Sequence, residues 1–251
     1  MFERKTIAPI LSTVMMVHVP TMRRERPARG DRRGLAWWLA LAVCKPVLLV
    51  LRRADWRGVQ RIPASGGAVL AANHVSHIDP LLVAEMVLAQ RRVPRFLTKD
   101  SLFGQTLVGW WFRAAGHVRV DRTAGYGAYD DAVAAALAGR LLLVYPEASI
   151  TRRDDGLPMP MKSGAVRIAL EASVPLLPVA QWGAQSILPA YTGRLQWGRR
   201  KRVAIVVGEP IPLHDLRGLE PALAASLGRE RLEHRLTSMV RQLSDEDRTS
   251  A

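Results

Sequence analysis

A chain of 251 residues is long enough for one sizeable core, and its 49% hydrophobic content excludes a disordered polymer. A single cysteine, Cys44, excludes an internal disulfide and a cysteine-rich metal cluster. With 36 Lys and Arg against 22 Asp and Glu, the formal net charge of +14 favours anionic partners: a membrane surface, a phosphorylated substrate or nucleic acid.

In chain order, Ile7 to Val19 is a short apolar run interrupted by Pro9. It is too short to span a bilayer, and no small-residue cleavage site follows, so it does not read as a signal peptide. Arg23 to Gly34 is basic and turn-prone, a linker. Leu35 to Leu51 reads LAWWLALAVCKPVLLVL, with arginine pairs on both sides and Lys45 and Pro46 inside. As a helix it would be about 25 Å long, short of the roughly 30 Å hydrocarbon core. Trp37 and Trp38 suit a headgroup boundary. We read it as an embedded or re-entrant anchor, with a buried core helix as the alternative. This divides the chain into a membrane-association segment, 1–55, and a catalytic domain, 56–251.

Beyond Trp56 strands and helices alternate. Strands are expected at Ala68–Ala72, Arg95–Thr98, Val118–Val120, Leu141–Tyr145, Leu176–Val179 and Val203–Val207. Helices are expected at Leu81–Ala89, Phe103–Ala115, Tyr129–Ala138, Ala165–Ala172 and Glu230–Leu243. The pattern predicts an α/β fold with a mixed, largely parallel sheet flanked by helices.

The chemistry concentrates in Asn73-His74-Val75-Ser76-His77-Ile78-Asp79-Pro80, which follows one expected strand and opens the next helix. An imidazole with a carboxylate partner can take a proton from an alcohol near neutral pH, and the carboxylate fixes the tautomer and stabilises the imidazolium. On one continuous helix His74 and Asp79 would lie about 140° apart, so such a dyad needs a turn between them. Pro80 favours a helix start there. Asp79 could instead serve backbone amides at the helix cap, or close a capping box begun by Ser76. His77 beside His74 finds no further clustered ligands, so no metal is expected.

NHVSHID resembles the NHxxxxD signature of the glycerolipid acyltransferase family, whose bacterial branch includes 1-acylglycerol-3-phosphate acyltransferases. Three further stretches resemble the family's later blocks, in order: Gly116-His117-Val118-Arg119-Val120-Asp121-Arg122, Tyr145-Pro146-Glu147-Ala148-Ser149 and Val174-Pro175-Leu176-Leu177-Pro178. The third block is usually written Phe-Pro-Glu-Gly-Thr. Phe96-Leu97-Thr98-Lys99 and Met161-Lys162-Ser163-Gly164-Ala165 are similar to family connectors. The resemblance covers roughly residues 56 to 210.

The resemblance implies acyl transfer from acyl-CoA or acyl-carrier protein, as co-substrate and not cofactor, to a lysophospholipid at the cytoplasmic face of the cell membrane. His74 would be the general base and Asp79 its partner. Arg122 and Lys99 would hold the acceptor's phosphate, a task a guanidinium fork suits. Glu147 would accept from glycerol or orient Arg122, and Ser149 keeps the hydroxyl of the family threonine. The chain departs from the pattern at Ala148, where the family has glycine, at Ile150, where it has arginine and where Arg152 could substitute or not, and at Arg119, where it often has phenylalanine. These departures leave other acceptors open: glycerol 3-phosphate, another lysolipid or a glycolipid. A non-enzymatic basic module binding membrane or nucleic acid would need neither His74 nor Asp79, so nucleic acid is not the expected partner. Trp110 and Trp111 suit an acyl channel, a dip into lipid or, as such aromatics more often do, the core.

Overall fold

Ala68–Ala72 and Leu141–Val144 carry no polar side chain on either face, so they suit a sheet covered on both sides. In the computed structural model, which describes residues 34–99, 104, 109–110, 113–120 and 127–250, these runs lie side by side in a seven-stranded sheet. The elements are α1 (Leu35–Leu51), β1 (Arg52–Arg57), β2 (Ala68–Ala72), α2 (Asp79–Ala89), β3 (Pro94–Lys99), β4 (Val118–Val120), α3 (Gly127–Leu137), β5 (Leu141–Val144), α4 (Gly164–Glu171), β6 (Leu176–Trp182), β7 (Lys201–Val207) and α5 (Pro221–Ser250). The run Ile7–Val19, nearly all of the expected linker and most of Phe103–Ala115, with Trp111, lie outside the described residues.

The strand order is β1-β7-β6-β2-β5-β3-β4. Neighbours run parallel except β6 and β7. Successive side chains of a strand point to opposite faces, and β2 divides accordingly. Ala68, Leu70 and Ala72 pack under α1 and α2. Val69 and Ala71 pack under α3, α4 and α5. The result is a three-layer sandwich with two apolar cores.

Two elements differ from expectation. Arg52–Arg57 forms the edge strand β1 and crosses the boundary expected at 55/56. Helix α5 extends well beyond Glu230–Leu243, from Pro221 to Ser250. Helix α1 matches its expected span and has two apolar faces. Ala36, Trp37, Leu48 and Leu51 are buried in the core, and Trp37 donates from Nε1 to the Ala115 carbonyl. Leu39, Val43, Val47 and Val50 are exposed. No helix among the described residues is long and apolar enough to cross a membrane.

The parallel strands β2, β5 and β6 end together. The segments that follow them, Asn73–Ile78, Tyr145–Thr151 and Gly183–Arg200, gather at that end, where open α/β sheets carry their sites.

Candidate active site

The turn after β2 is held by side chains that replace the strand ladder where it stops. Asn73 Oδ1 accepts from the Gln181 amide at 2.8 Å, and Asn73 Nδ2 donates to the Gln181 carbonyl at 3.1 Å. Gln181 Nε2 returns a bond to the Asn73 carbonyl at 2.5 Å. The ends of β2 and β6 are thereby locked where the chain turns toward α2.

His74 is the next residue. Its amide donates to Glu147 Oε1 at 2.9 Å, and its carbonyl accepts from the Thr151 amide at 2.8 Å. With its backbone fixed on both sides, its ring stacks on Tyr145, centroids 4.2 Å apart and planes at 25°. Nδ1 lies 2.9 Å from Asp79 Oδ2. A carboxylate accepts only, so it selects the tautomer with the proton on Nδ1 and the lone pair on Nε2.

Asp79 begins α2 and is wholly buried. Its Oδ2 takes three donors: His74 Nδ1, the Val75 amide at 2.6 Å and the Ser76 amide at 2.8 Å. The Ser76 bond is one half of a capping box. The other half is absent: the Asp79 amide donates to the Ser76 carbonyl at 3.1 Å, not to Ser76 Oγ, which donates to the Leu188 carbonyl at 2.6 Å. Burial lifts the Asp79 carboxyl above the ordinary carboxylate value, while the His74, Ser76 and Val75 donors pull it back. Burial and the nearby Asp79 charge hold the Tyr145 phenol well above its usual value.

Glu147 is buried, and both of its oxygens serve the backbone: Oε1 takes the His74 amide and Oε2 the Met159 amide at 2.8 Å. Its placement is under the turn that carries His74. Burial pushes its carboxyl up to about 7 against the pull of those two amides. Ala148 sits at φ +60°, the left-handed conformation that glycine adopts freely, so the loop keeps a glycine-like turn without glycine. Its amide closes that turn on the Tyr145 carbonyl at 3.0 Å. Ser149 is exposed at the same rim, and Ile150 is buried. Lys99 ends β3, but its side chain lies outside the described residues, as does all of Arg122. Trp110 is exposed.

His74 and Asp79 from one stretch of chain thus come together with Glu147 from another, with Ser149 two residues further along it. Tyr145 and the Asn73–Gln181 clamp were not anticipated; the asparagine opening the His74 motif was the available signal. Among the described residues no group of three or more His, Cys, Asp or Glu side chains could hold a metal ion.

The family model described as Acyltransferase matches residues 53–182. The 1-acyl-sn-glycerol-3-phosphate acyltransferase alpha of Bos taurus is 30% identical over 203 residues, covering 78% of this chain and 66% of its own. The chain therefore spans just under two thirds of that relative's length. The 1-acyl-sn-glycerol-3-phosphate acyltransferase of Bacillus subtilis (strain 168) is 23% identical over 185 residues, 73% of this chain and 86% of that one. The crystal structure of the 1-acyl-sn-glycerophosphate (LPA) acyltransferase PlsC from Thermotoga maritima superposes with a TM-score of 0.66 at 22% identity. It covers 82% of this chain and 78% of its own, which shows a shared fold. Since the matched region runs from the start of β1 to the end of β6 and carries the His74–Asp79 pair, the chain belongs to the acyltransferase family.

Proposed function

We propose that this protein moves a fatty acyl group from an acyl thioester, acyl-CoA or acyl-carrier protein, to the free hydroxyl of 1-acylglycerol 3-phosphate, giving phosphatidic acid. The observation that carries the reading is the 2.9 Å contact of His74 Nδ1 with a buried carboxylate, which leaves Nε2 as a base. Nε2 takes the hydroxyl proton as the alcohol oxygen attacks the thioester carbonyl. The tetrahedral intermediate then expels the thiolate, which recovers the proton from the imidazolium. General base help of this kind contributes about 10²–10⁴-fold, and holding thioester and hydroxyl together contributes further. Asp79 stabilises the transient imidazolium. Glu147 supports the His74 backbone. Lys99 and Arg122 are proposed to receive the phosphate, with Ser149 at the rim. The names of the relatives support the acceptor, and the reaction is assigned to the cytoplasmic face of the cell membrane.

A second acceptor is favoured by one observation. Ile150 is buried where the family carries an arginine, and Arg152, the candidate substitute, lies over the Tyr191 ring, so no arginine stands at that position of the rim. The test is transfer from radiolabelled acyl-CoA and acyl-carrier protein to lysophosphatidate, glycerol 3-phosphate and uncharged lysolipids, with His74→Ala alongside. Product from lysophosphatidate that disappears in the variant supports the full reading. Transfer only to another acceptor keeps the chemistry and changes the substrate. No transfer from folded protein with any pair rejects the enzyme.

A further inference from the structure

The segment between β6 and β7 connects the candidate site to the far edge of the sheet. Near its start, the Leu188 carbonyl accepts from Ser76 Oγ. Tyr191 meets His77 edge-on, with centroids 6.4 Å apart, and donates its hydroxyl to the Ile150 carbonyl at 2.7 Å. At the other end, Arg200 Nε donates to the Arg52 carbonyl at 3.1 Å. Arg52 is where α1 passes directly into β1.

Topology puts these features at one end of the molecule. Strands β2 and β6 are parallel, with Ala72 beside Val179, so both end at His74. Strand β7 is antiparallel to β6 and therefore begins at that end. Strand β1 is parallel to β7, with Arg52 beside Lys201, so α1 also finishes there. The exposed side chains at the end of α1, Val47, Leu49 and Val50, thus adjoin the root of the loop, where Trp197, itself 70% exposed, stands just before β7. From Gly183 to Gly208 there are five basic residues and no acidic one. Arg194, Arg199 and Arg200 flank Trp197 and are exposed.

We propose that the loop of residues 187–200 is a docking surface for an anionic phospholipid bilayer, acting with the exposed face of α1. Trp197 enters the headgroup boundary, where an indole satisfies both phases, and the arginines meet lipid phosphates. The apolar residues beside the arginines favour a bilayer over an acidic protein, for which charge alone would suffice. Binding in this orientation turns the His74 end of the sheet toward the lipid, on the side from which a lysolipid arrives. The proposal goes beyond the acyl-transfer reading and does not need turnover to be tested.

The experiment is flotation of the full chain with vesicles of phosphatidylcholine alone and of phosphatidylcholine with phosphatidylglycerol. The comparison set is Trp197→Ala and the double variant Arg194→Ala/Arg199→Ala, whose side chains are exposed and whose thermal unfolding should match the parent. At about 1 kcal/mol per surface arginine, the double variant should lose about 30-fold in partition onto anionic vesicles and nothing on neutral ones. Trp197→Ala should weaken binding to both. Failure of the parent chain to float on anionic vesicles overturns the proposal, as do variants that float like the parent. Variants that keep vesicle binding but lose transfer from acyl-carrier protein, while retaining transfer from acyl-CoA, would make the loop a carrier dock and overturn it equally. Parent protein that floats yet transfers no acyl group would reject the proposed activity and leave this surface standing.

Discussion

Asp79→Asn separates the structural part of Asp79 from the catalytic part proposed for it. In the structure one oxygen, Oδ2, receives His74 Nδ1 and the amides of Val75 and Ser76. An asparagine carbonyl in the same place can accept all three, so the turn and the imidazole orientation survive. The new NH₂ replaces Oδ1, which is buried and has no hydrogen-bond partner among the described residues. Leaving that group unpaired costs about 1–3 kcal/mol, partly offset because a buried charge is removed. What the variant cannot do is stabilise an imidazolium. Two unit charges 2.9 Å apart attract by about 6 kcal/mol at an effective dielectric of 20, and losing two thirds of that is about 10³-fold in rate. We expect kcat and kcat/KM to fall together by about 10³–10⁴, with the protein still folded by circular dichroism and its KM little changed. Thiol release from acyl-CoA in the presence of lysophosphatidate measures this. A folded variant within tenfold of the parent kcat would refute the reasoning and leave Asp79 as a helix-terminal acceptor.

Three further outcomes are expected. Ala148→Gly relieves a left-handed alanine, worth about 1–2 kcal/mol, less the about 0.5–1 kcal/mol of extra chain entropy glycine loses on folding. Thermal unfolding should therefore rise by a few degrees, and a fall would show that the loop does not hold φ +60° in solution. Glu147 titrates at about 7 in the folded chain against an ordinary 4.5, so the folded state holds its proton more tightly than the unfolded chain. Its contribution is complete below pH about 4.5 and is lost as pH rises through about 7, up to about 3 kcal/mol in all. Urea unfolding of Glu147→Gln should gain on the parent by that amount between pH 4.5 and 8; a constant difference would count against the raised value. Glu85→Ala strands the buried Arg52 that it pairs with, which should cost about 3–5 kcal/mol, whereas Arg52→Met/Glu85→Leu should recover most of it. A double variant as unstable as Glu85→Ala would show that packing, not the stranded charge, sets the loss.

Strands β2 and β4 have the expected bounds: Ala68–Ala72, at the centre, as an apolar run that leaves few alternatives, and Val118–Val120, at the edge, from its β-branched pair. Strand β1 was hidden because RRADWR carries no apolar alternation. It is held by its ladder to β7 and by charge pairs, Arg52 to Glu85, Asp55 to Arg202 and Arg57 to Glu246, and those charged partners lie 33, 147 and 189 positions away. Helix α5, expected only over Glu230–Leu243, runs through Gly228, a weak helix former. In the fold that glycine is a contact: a Cβ there would stand 2.4 Å from a Val166 methyl, so α4 and α5 approach where only hydrogen fits. Glu147 was singled out in the sequence, but its placement was not legible, because nothing local says that its oxygens will meet the amides of His74 and Met159.

The five-residue spacing of His74 and Asp79 posed helix capping and an acid–base dyad as rivals. One geometry can serve both. For the Asp79 carboxylate to accept the Val75 and Ser76 amides, the chain must wrap around it between β2 and α2. That wrapping is what returns the His74 ring to the same oxygen despite an angular offset that a straight helix would forbid. The amides that a cap would serve are thus the device that holds the dyad closed, and the two roles cannot be told apart by deleting the side chain. Asp79→Ala would lose the turn and the charge together. Only a substitution that keeps the acceptor and removes the charge assigns the carboxylate its chemical part.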